Sequence, residues 1–394
     1  MRSLEEALGQ LEAAQLRRRR ITVDSFVSAG ERVQLSVGGR ELTDFSSNDY
    51  LGLARHPALA RAMAECAAVA GAGSAASHLV SGHGREHQRL EEELADFTGR
   101  ERALLFTSGY TANLAVMTSL AGRGERVVLD RLSHASLIDG ARLSGATLKR
   151  YAHADATAAW QMLNRGEGEA AILGTDGVFS MDGDLAPLPQ LAQAARAAGA
   201  WLVVDDAHGL GVVGASGRGT LEHFGLDASA VPVLVGTLGK AFGSFGAFVA
   251  GDAALVEFLI QNARSYIYTT ALPQPVAAAT CAALALVIGE GWRRERVNAL
   301  TTRFRTRALS ADIPLMDSAT PIQPVLLGTA ASALAAQAQL AAAGFLVIAI
   351  RPPTVPAGSA RLRVTLSAAH TEAQVDTLVD ELARTCAQVR KAHA

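Results

Sequence analysis

The segment Thr237-Leu-Gly-Lys240-Ala-Phe-Gly-Ser-Phe-Gly246 directly follows the apolar run Val233 to Val235, which places a lysine among small residues at a strand end. An amine there, with no acid beside it in sequence, loses its proton more readily than a solvated one and can attack a carbonyl. The flanking glycines let a ligand approach the backbone. One strand-helix-strand length earlier, Trp201-Leu-Val-Val-Asp205-Asp206-Ala-His208 runs four apolar residues into two acids. Acids at the carboxyl end of a buried strand lie where open α/β sheets bind ligands, and they need a cationic partner. A protonated pyridine nitrogen opposite Asp205 is one such partner, with His208 in reach of the same ring; a metal ion or a helix cap remain alternatives for the acids taken alone.

Two further turns belong with these. Thr107-Ser-Gly109-Tyr110-Thr-Ala-Asn113 is a small-residue turn between an apolar strand and a helix, a place where helix N-terminal amides suit a phosphate. The dinucleotide pattern GxGxxG is absent from it. Asp130-Arg-Leu-Ser-His134-Ala-Ser136 follows another short strand, so His134 falls on the same sheet edge, where an imidazole can stack on a ring or carry a proton.

The elements that must position these groups are legible as alternation. Apolar runs at Ala103 to Thr107, Arg126 to Leu129, Ala170 to Gly174, Trp201 to Val204, Val233 to Val235 and Ala247 to Ala250 read as buried strands. Helical stretches such as Arg85 to Phe97 and Leu188 to Ala198 separate them, which predicts a mostly parallel sheet covered on both faces. An amphipathic helix is expected from about Leu4 to Arg20, ending in the basic run Arg17 to Arg20. After Gly291 the pattern restarts: strands at Ile322 to Leu327, Phe345 to Ile350 and Arg361 to Leu366, helices at Ser332 to Ala343 and Thr371 to Val389. Thr371 with Gln374 three residues on is a capping-box signature. The division expected is an N-terminal helix and segment over 1–55, a large α/β domain over 56–290 and a smaller α+β domain over 291–394.

Composition bounds the rest. With 394 residues, 49% hydrophobic and 19% charged, the chain has ample material for a large core. A formal net charge of −2 gives no field toward nucleic acid or an anionic membrane, and neither is expected as a partner. Cys66, Cys281 and Cys386 lie far apart without a CxxC pair, so no metal site is expected and a reducing compartment fits. No signal-peptide pattern and no uninterrupted apolar run of membrane-spanning length is present, which makes a cytoplasmic location the simplest expectation.

Taken together, the motifs make the chain resemble the fold-type-I pyridoxal-phosphate enzymes and, within them, the α-oxoamine synthases. The resemblance runs from about residue 40 to 385 and is carried by Ser46-Ser-Asn48-Asp-Tyr-Leu-Gly-Leu53, Ser108-Gly-Tyr110, Asp205-Asp-Ala-His208, the Lys240 segment and Arg351-Pro-Pro-Thr354-Val-Pro356. It implies a pyridoxal 5′-phosphate transferase fold: a large domain with a mostly parallel seven-stranded sheet and a smaller α+β C-terminal domain. The implied activity is condensation of an amino acid with an acyl thioester and release of carbon dioxide.

Ser77-His-Leu-Val-Ser-Gly-His83 and Pro352 to Gly358 with Arg361-Leu-Arg363 resemble most the branch that joins L-alanine to a pimeloyl thioester of acyl carrier protein or coenzyme A. A branch joining glycine to an acetyl thioester remains the alternative. By the same resemblance, Lys240 binds the cofactor's aldehyde covalently and later moves the Cα proton, Asp205 pairs with the ring nitrogen, His208 approaches the ring oxygen and His134 stacks on the ring and meets substrate. Gly109, Tyr110 and Thr237 hold the phosphate end or its surroundings, and Ser180 lines the cofactor. Thr269 and Thr270 are implied phosphate contacts donated across a homodimer with shared active sites. Asn48 and Arg363 match positions that hold the amino acid carboxylate, and Thr354 with Arg17 or Arg18 matches acyl-substrate contacts.

Overall fold

The computed structural model describes residues 3–26 and 33–393. Two compact units emerge, one made of Leu53–Ser180 and Leu185–Arg294, the other of Met1–Gly52, Met181–Asp184 and Glu295–Ala394. The N-terminal segment, expected to stand by itself, is thus grouped with the C-terminal region.

The first unit is built on the expected seven-stranded sheet: β1 (Arg102–Phe106), β2 (Arg126–Asp130), β3 (Thr147–Tyr151), β4 (Ala170–Asp176), β5 (Trp201–Asp205), β6 (Val233–Thr237) and β7 (Ala247–Gly251). Spatial order is β1-β7-β6-β5-β4-β2-β3, and only β7 runs antiparallel to its neighbours. Strand alternation sends Val127 and Leu129 of β2 into one core and Val128 into the other, which is why these runs read as continuously apolar. Each such burial contributes about 1.5–3 kcal/mol against an exposed side chain. The strand β3 escaped the sequence reading: it is an edge strand whose Lys149 and Arg150 face solvent. The apolar helix Gln274–Gly289 is covered by Pro57–Ala70 and Arg85–Thr98, and no single described helix is long and apolar enough to cross a membrane.

In the second unit, β8 (Ile322–Gly328), β9 (Ile348–Ile350) and β10 (Ala360–Thr365) form an antiparallel sheet with β10 in the centre. The single strand expected over Phe345 to Ile350 divides at Val347. Phe345–Leu346 pairs parallel with Arg40–Asp44, while Ile348–Ile350 pairs with β10. Ser46 Oγ sits at the division, donating to the Leu346 carbonyl (3.1 Å) and accepting from the Ile348 amide (3.0 Å). The capping box forms as expected, with Gln374 N to Thr371 Oγ1 at 3.2 Å and Thr371 N to Gln374 Oε1 at 2.8 Å, opening Glu372–His393.

The N-terminal helix is shorter than expected, Leu4–Ala13, so the arginine run does not form its last turn. Gln15 takes a positive φ of 57°, and Arg17 and Arg19 fold back onto Glu12 at 3.3 and 3.0 Å. Four adjacent cations repel one another, and a bend that brings two of them to one carboxylate relieves that.

Candidate active site

At the carboxyl ends of β2, β4, β5 and β6 the first unit gathers most of the residues that the sequence singles out. Lys240 lies in the turn after β6, closed by Gly243 N to Lys240 O at 2.8 Å. Gly243 has φ of 62°, and a Cβ there would fall into the Leu53–Ala54 backbone, so glycine is required. Lys240 Nζ is 2.8 Å from Nε2 of His208, itself buried. Thr237 Oγ1 donates to Gly246 O at 3.2 Å and ties the two ends of the same turn together.

The two adjacent acids separate in role. Asp205, the last residue of β5, accepts Asn113 Nδ2 on Oδ2 at 2.6 Å and the Ala207 amide on Oδ1 at 3.1 Å. Asp206 turns the other way and accepts the Thr220 amide at 2.7 Å at the start of the short helix Thr220–Phe224; burial pushes its carboxyl up to about 7. The helix-cap alternative therefore describes Asp206.

Asp176, the last residue of β4, was not singled out from sequence, because the apolar run that marks the strand stops before it. It is the register partner of Asp205 and accepts the His134 amide at 2.9 Å. Burial first, and then the charge on Asp205, raise its carboxyl well above the ordinary range.

His134 is exposed and caps the helix α2 (Ala135–Ser144), its Nδ1 2.6 Å from Ser136 Oγ. Asn113 lies on the helix α1 (Gly109–Leu120), where Nδ2 donates to Ser136 Oγ at 2.8 Å as well as to Asp205. At the start of α1, Ser108 Oγ accepts the Thr111 amide at 3.2 Å, and nothing lies within 4 Å of where a Gly109 Cβ would stand. Tyr110 is exposed and its hydroxyl donates to Asp139 at 2.9 Å. Ser180 is half-buried at the end of its stretch of the unit, and Thr269 and Thr270 follow the helix Arg264–Ile267, half-buried and exposed respectively.

The remaining candidates belong to the second unit. Arg363 on the central strand β10 is buried, its Nη1 donating to Asn48 Oδ1 (3.1 Å) and Thr365 Oγ1 (3.0 Å). Tyr50 OH also donates to Asn48, at 3.3 Å; burial pushes this phenol up, against the pull of Arg363. Arg361, two residues before, is instead ion-paired with Asp182. Arg18 Nη2 donates to Thr354 Oγ1 at 3.0 Å, whereas Arg17 pairs with Glu12, which separates the two arginines that the sequence left equivalent. Arg18, Thr354, Arg351, Gln337, Ile348 and Leu16 are among the residues around a cavity of about 680 Å³.

A histidine trio, His78, His83 and His87, brings ring nitrogens within 4.8 Å of one another. Both nitrogens of His87 are engaged, Nδ1 by the Gly84 amide at 2.9 Å and Nε2 by the Leu272 carbonyl. Burial first, and then the neighbouring rings, holds the His78 imidazole down at about 3, and its Nδ1 meets His83 Nδ1 at 2.9 Å.

Residues 40–382 match the family model for aminotransferase class I and II. The chain is 57% identical over 377 residues to an 8-amino-7-oxononanoate synthase of Methylococcus capsulatus, covering 96% of each protein. It is 59% identical over 349 residues to another from Cellvibrio japonicus, covering 89% of this chain and 88% of that one. The chain belongs to the 8-amino-7-oxononanoate synthase family. It is accordingly a pyridoxal-phosphate-dependent enzyme of the acyltransferase type, as the motifs led one to expect.

Solved structures agree with this family placement. A serine palmitoyltransferase variant from S. paucimobilis, with bound pyridoxal phosphate and myriocin as an aldimine, superposes with a TM-score of 0.92 at 29% identity, covering 98% of this chain and 97% of that one. An 8-amino-7-oxononanoate synthase from Francisella tularensis gives 0.79 at 31% identity, covering 90% of this chain and 99% of that one. The donor set fits the family's cofactor. An amine at a strand end suits an aldehyde, and an open helix N-terminus suits a phosphate. Two buried carboxylates in strand register, one of them driven toward its neutral form, suit a cationic ring nitrogen.

Proposed function

We propose that this enzyme joins L-alanine to a pimeloyl thioester, releasing 8-amino-7-oxononanoate, carbon dioxide and the free thiol carrier, in biotin biosynthesis. It would act in the cytoplasm as a homodimer whose subunits complete each other's sites through Thr269 and Thr270. The observation that carries the reading is the strand-end set of Lys240, His208, Asp205 and His134 in a chain more than half identical to synthases of this name.

Bound pyridoxal phosphate supplies an electron sink for the pair released at the alanine Cα. Lys240 Nζ anchors the aldehyde and takes the Cα proton; His208 at 2.8 Å orients that amine. Asp205 would pair with the ring nitrogen, and His134 would stack on the ring. Gly109, Tyr110 and Thr237 would hold the phosphate end, and Ser180 would line the cofactor. Arg363 and Asn48 hold the alanine carboxylate, the guanidinium providing charge-assisted hydrogen bonds. Arg18 and Thr354 meet the acyl substrate. The Cα to acyl-carbon bond forms as the carbon–sulfur bond breaks, the thiol leaves protonated, the carboxyl carbon departs as carbon dioxide and Cα regains a proton.

Product identification by mass tests this. Enzyme is mixed with alanine or glycine against pimeloyl and acetyl thioesters, each on coenzyme A and on acyl carrier protein. The expected product arises from alanine and pimeloyl thioester; an acetyl product from glycine at a higher kcat/KM rejects the assignment in favour of the other branch.

A further inference from the structure

The four carboxylates at the sheet's carboxyl edge are not equivalent, and the difference is built by an amide. Asp176 and Asp205 end adjacent parallel strands in register, 3% and 6% exposed. Two such groups cannot both ionise without a large penalty. Which of them keeps the proton decides whether the negative charge stands on the strand assigned to the ring nitrogen.

We propose that Asn113 is a positioning residue that, by donating to Asp205 Oδ2, keeps the negative charge of this pair on Asp205 and leaves the proton on Asp176. The inference rests on the cofactor reading above for its purpose, though not for its geometry. Asp205 accepts an N–H on each oxygen, at 2.6 Å from Asn113 and 3.1 Å from Ala207. The amide cannot be turned round, since that would set Oδ1 against a carboxylate oxygen at 2.6 Å, acceptor against acceptor. Its own Oδ1 is buried without a hydrogen-bond partner, so the orientation is imposed by what Nδ2 serves.

The same Nδ2 donates to Ser136 Oγ, whose hydroxyl is therefore free to donate to His134 Nδ1 at 2.6 Å. One amide thus connects the carboxylate and the imidazole that the mechanism places about the ring. The charged and titratable groups facing the pair come from every neighbouring element. Asp130 ends β2 and is bonded to His153 at 3.0 Å; Tyr151 ends β3; Asp206 follows β5; Lys240 follows β6 beside His208; and His134 meets Asp176 through its backbone. Burial and the charge on Asp205 both drive Asp176 toward its protonated form, in keeping with this division.

Two measurements test it, neither of them turnover. In the first, apoprotein is titrated with pyridoxal phosphate as a function of pH. Asn113→Leu keeps the volume and removes the donor, so the pH below which cofactor binding fails should move up by about one to two units, the size of one hydrogen bond to a charged group. Asp176→Asn replaces the protonated carboxyl by a neutral amide of the same shape, so if the proton rests on Asp176 the acid limb of that variant should stay where wild type has it. A folded Asn113→Leu with an unmoved acid limb overturns the proposal, and so does an acid limb displaced by Asp176→Asn alone, which would mean that the charge had stood on Asp176. The second is infrared spectroscopy of wild-type apoprotein at pH 8, where Asp206 and Glu91, both pushed up to about 7, are mostly ionised. A protonated-carboxyl band should be present and should disappear in Asp176→Asn. Its absence from wild type, or its persistence in the variant, overturns the assignment even if Asn113→Leu fails to fold. Loss of the cofactor reading alone would leave the infrared result standing.

Discussion

In the sheet unit, Asp205, Asp176, Asn113 and Ser136 are nearly or wholly buried and come from two strand ends and two helices, each fixed by partners that are themselves fixed. In the other unit, Arg18 and Thr354 are exposed, lie outside helix and strand, and meet each other through one hydrogen bond. Arg363, on the central strand β10, is by contrast held there as the sheet unit holds its groups. The difference matches the demands that the proposed function makes of each region. Groups that must face a ring within a fraction of an ångström belong on rigid elements, whereas recognition of a long acyl thioester tolerates side chains that settle on binding.

If the sheet unit holds the chemistry, the largest effect in the molecule belongs to Lys240. Lys240→Ala should lower turnover by more than about three orders of magnitude, the scale of losing a group that acts covalently, and should abolish the absorbance of lysine-bound cofactor. Product mass and a visible spectrum check this. Normal turnover in the variant would break the comparison at its stronger side, because the chemistry would then have to come from elsewhere.

The same contrast explains what could be read in the sequence. Buried strands announce themselves as apolar runs ending in polar residues, so the sequence alone places Asp205, His134 and Lys240 at strand ends. Asp176 was missed because Gly174 and Thr175 blur the end of the apolar run in β4, although the strand continues to it. Asn113 sits at the end of a recognised motif, but its partner Asp205 is far away in sequence, and no local spacing reveals a contact made through the sheet edge. The register partner of Asp205 was likewise invisible, since pairing of β4 with β5 is a tertiary fact. At the N-terminus, helical periodicity through Leu16 suggested more helix than forms: the helix ends at Ala13, Gln15 takes a positive φ, and Arg17 and Arg19 fold back onto Glu12.

Arg363 sharpens the comparison from inside the second unit. Arg363→Ala should raise KM for the amino acid roughly 10- to 100-fold, as expected for hydrogen bonds to a charged group, with a smaller change in kcat. Arg363→Lys should recover only part of this, because an ammonium lacks the planar fork that meets a carboxylate with two parallel bonds. Steady-state kinetics with alanine varied at saturating thioester separate the two parameters. An unchanged KM in Arg363→Ala would remove the carboxylate role and leave the residue as a bridge between β10 and Asn48.

The smallest effect should fall on the arginine run, and it should fall unevenly. Arg17, Arg18 and Arg19 all line the 680 Å³ cavity, but Arg18 reaches Thr354 whereas Arg17 and Arg19 are bound to Glu12 in exposed pairs. Exposed pairs of this kind are screened by solvent and contribute little, so Arg17→Ala and Arg19→Ala should leave kinetics within about twofold. Arg18→Ala removes a cation from the cavity wall and should raise KM for the thioester by roughly 2- to 10-fold, leaving KM for alanine alone. The effect should weaken with added salt, because an exposed cation is screened. Equal responses of all three variants would mean that the run acts as a diffuse positive patch, and the distinction drawn from the Arg18 to Thr354 contact would fail.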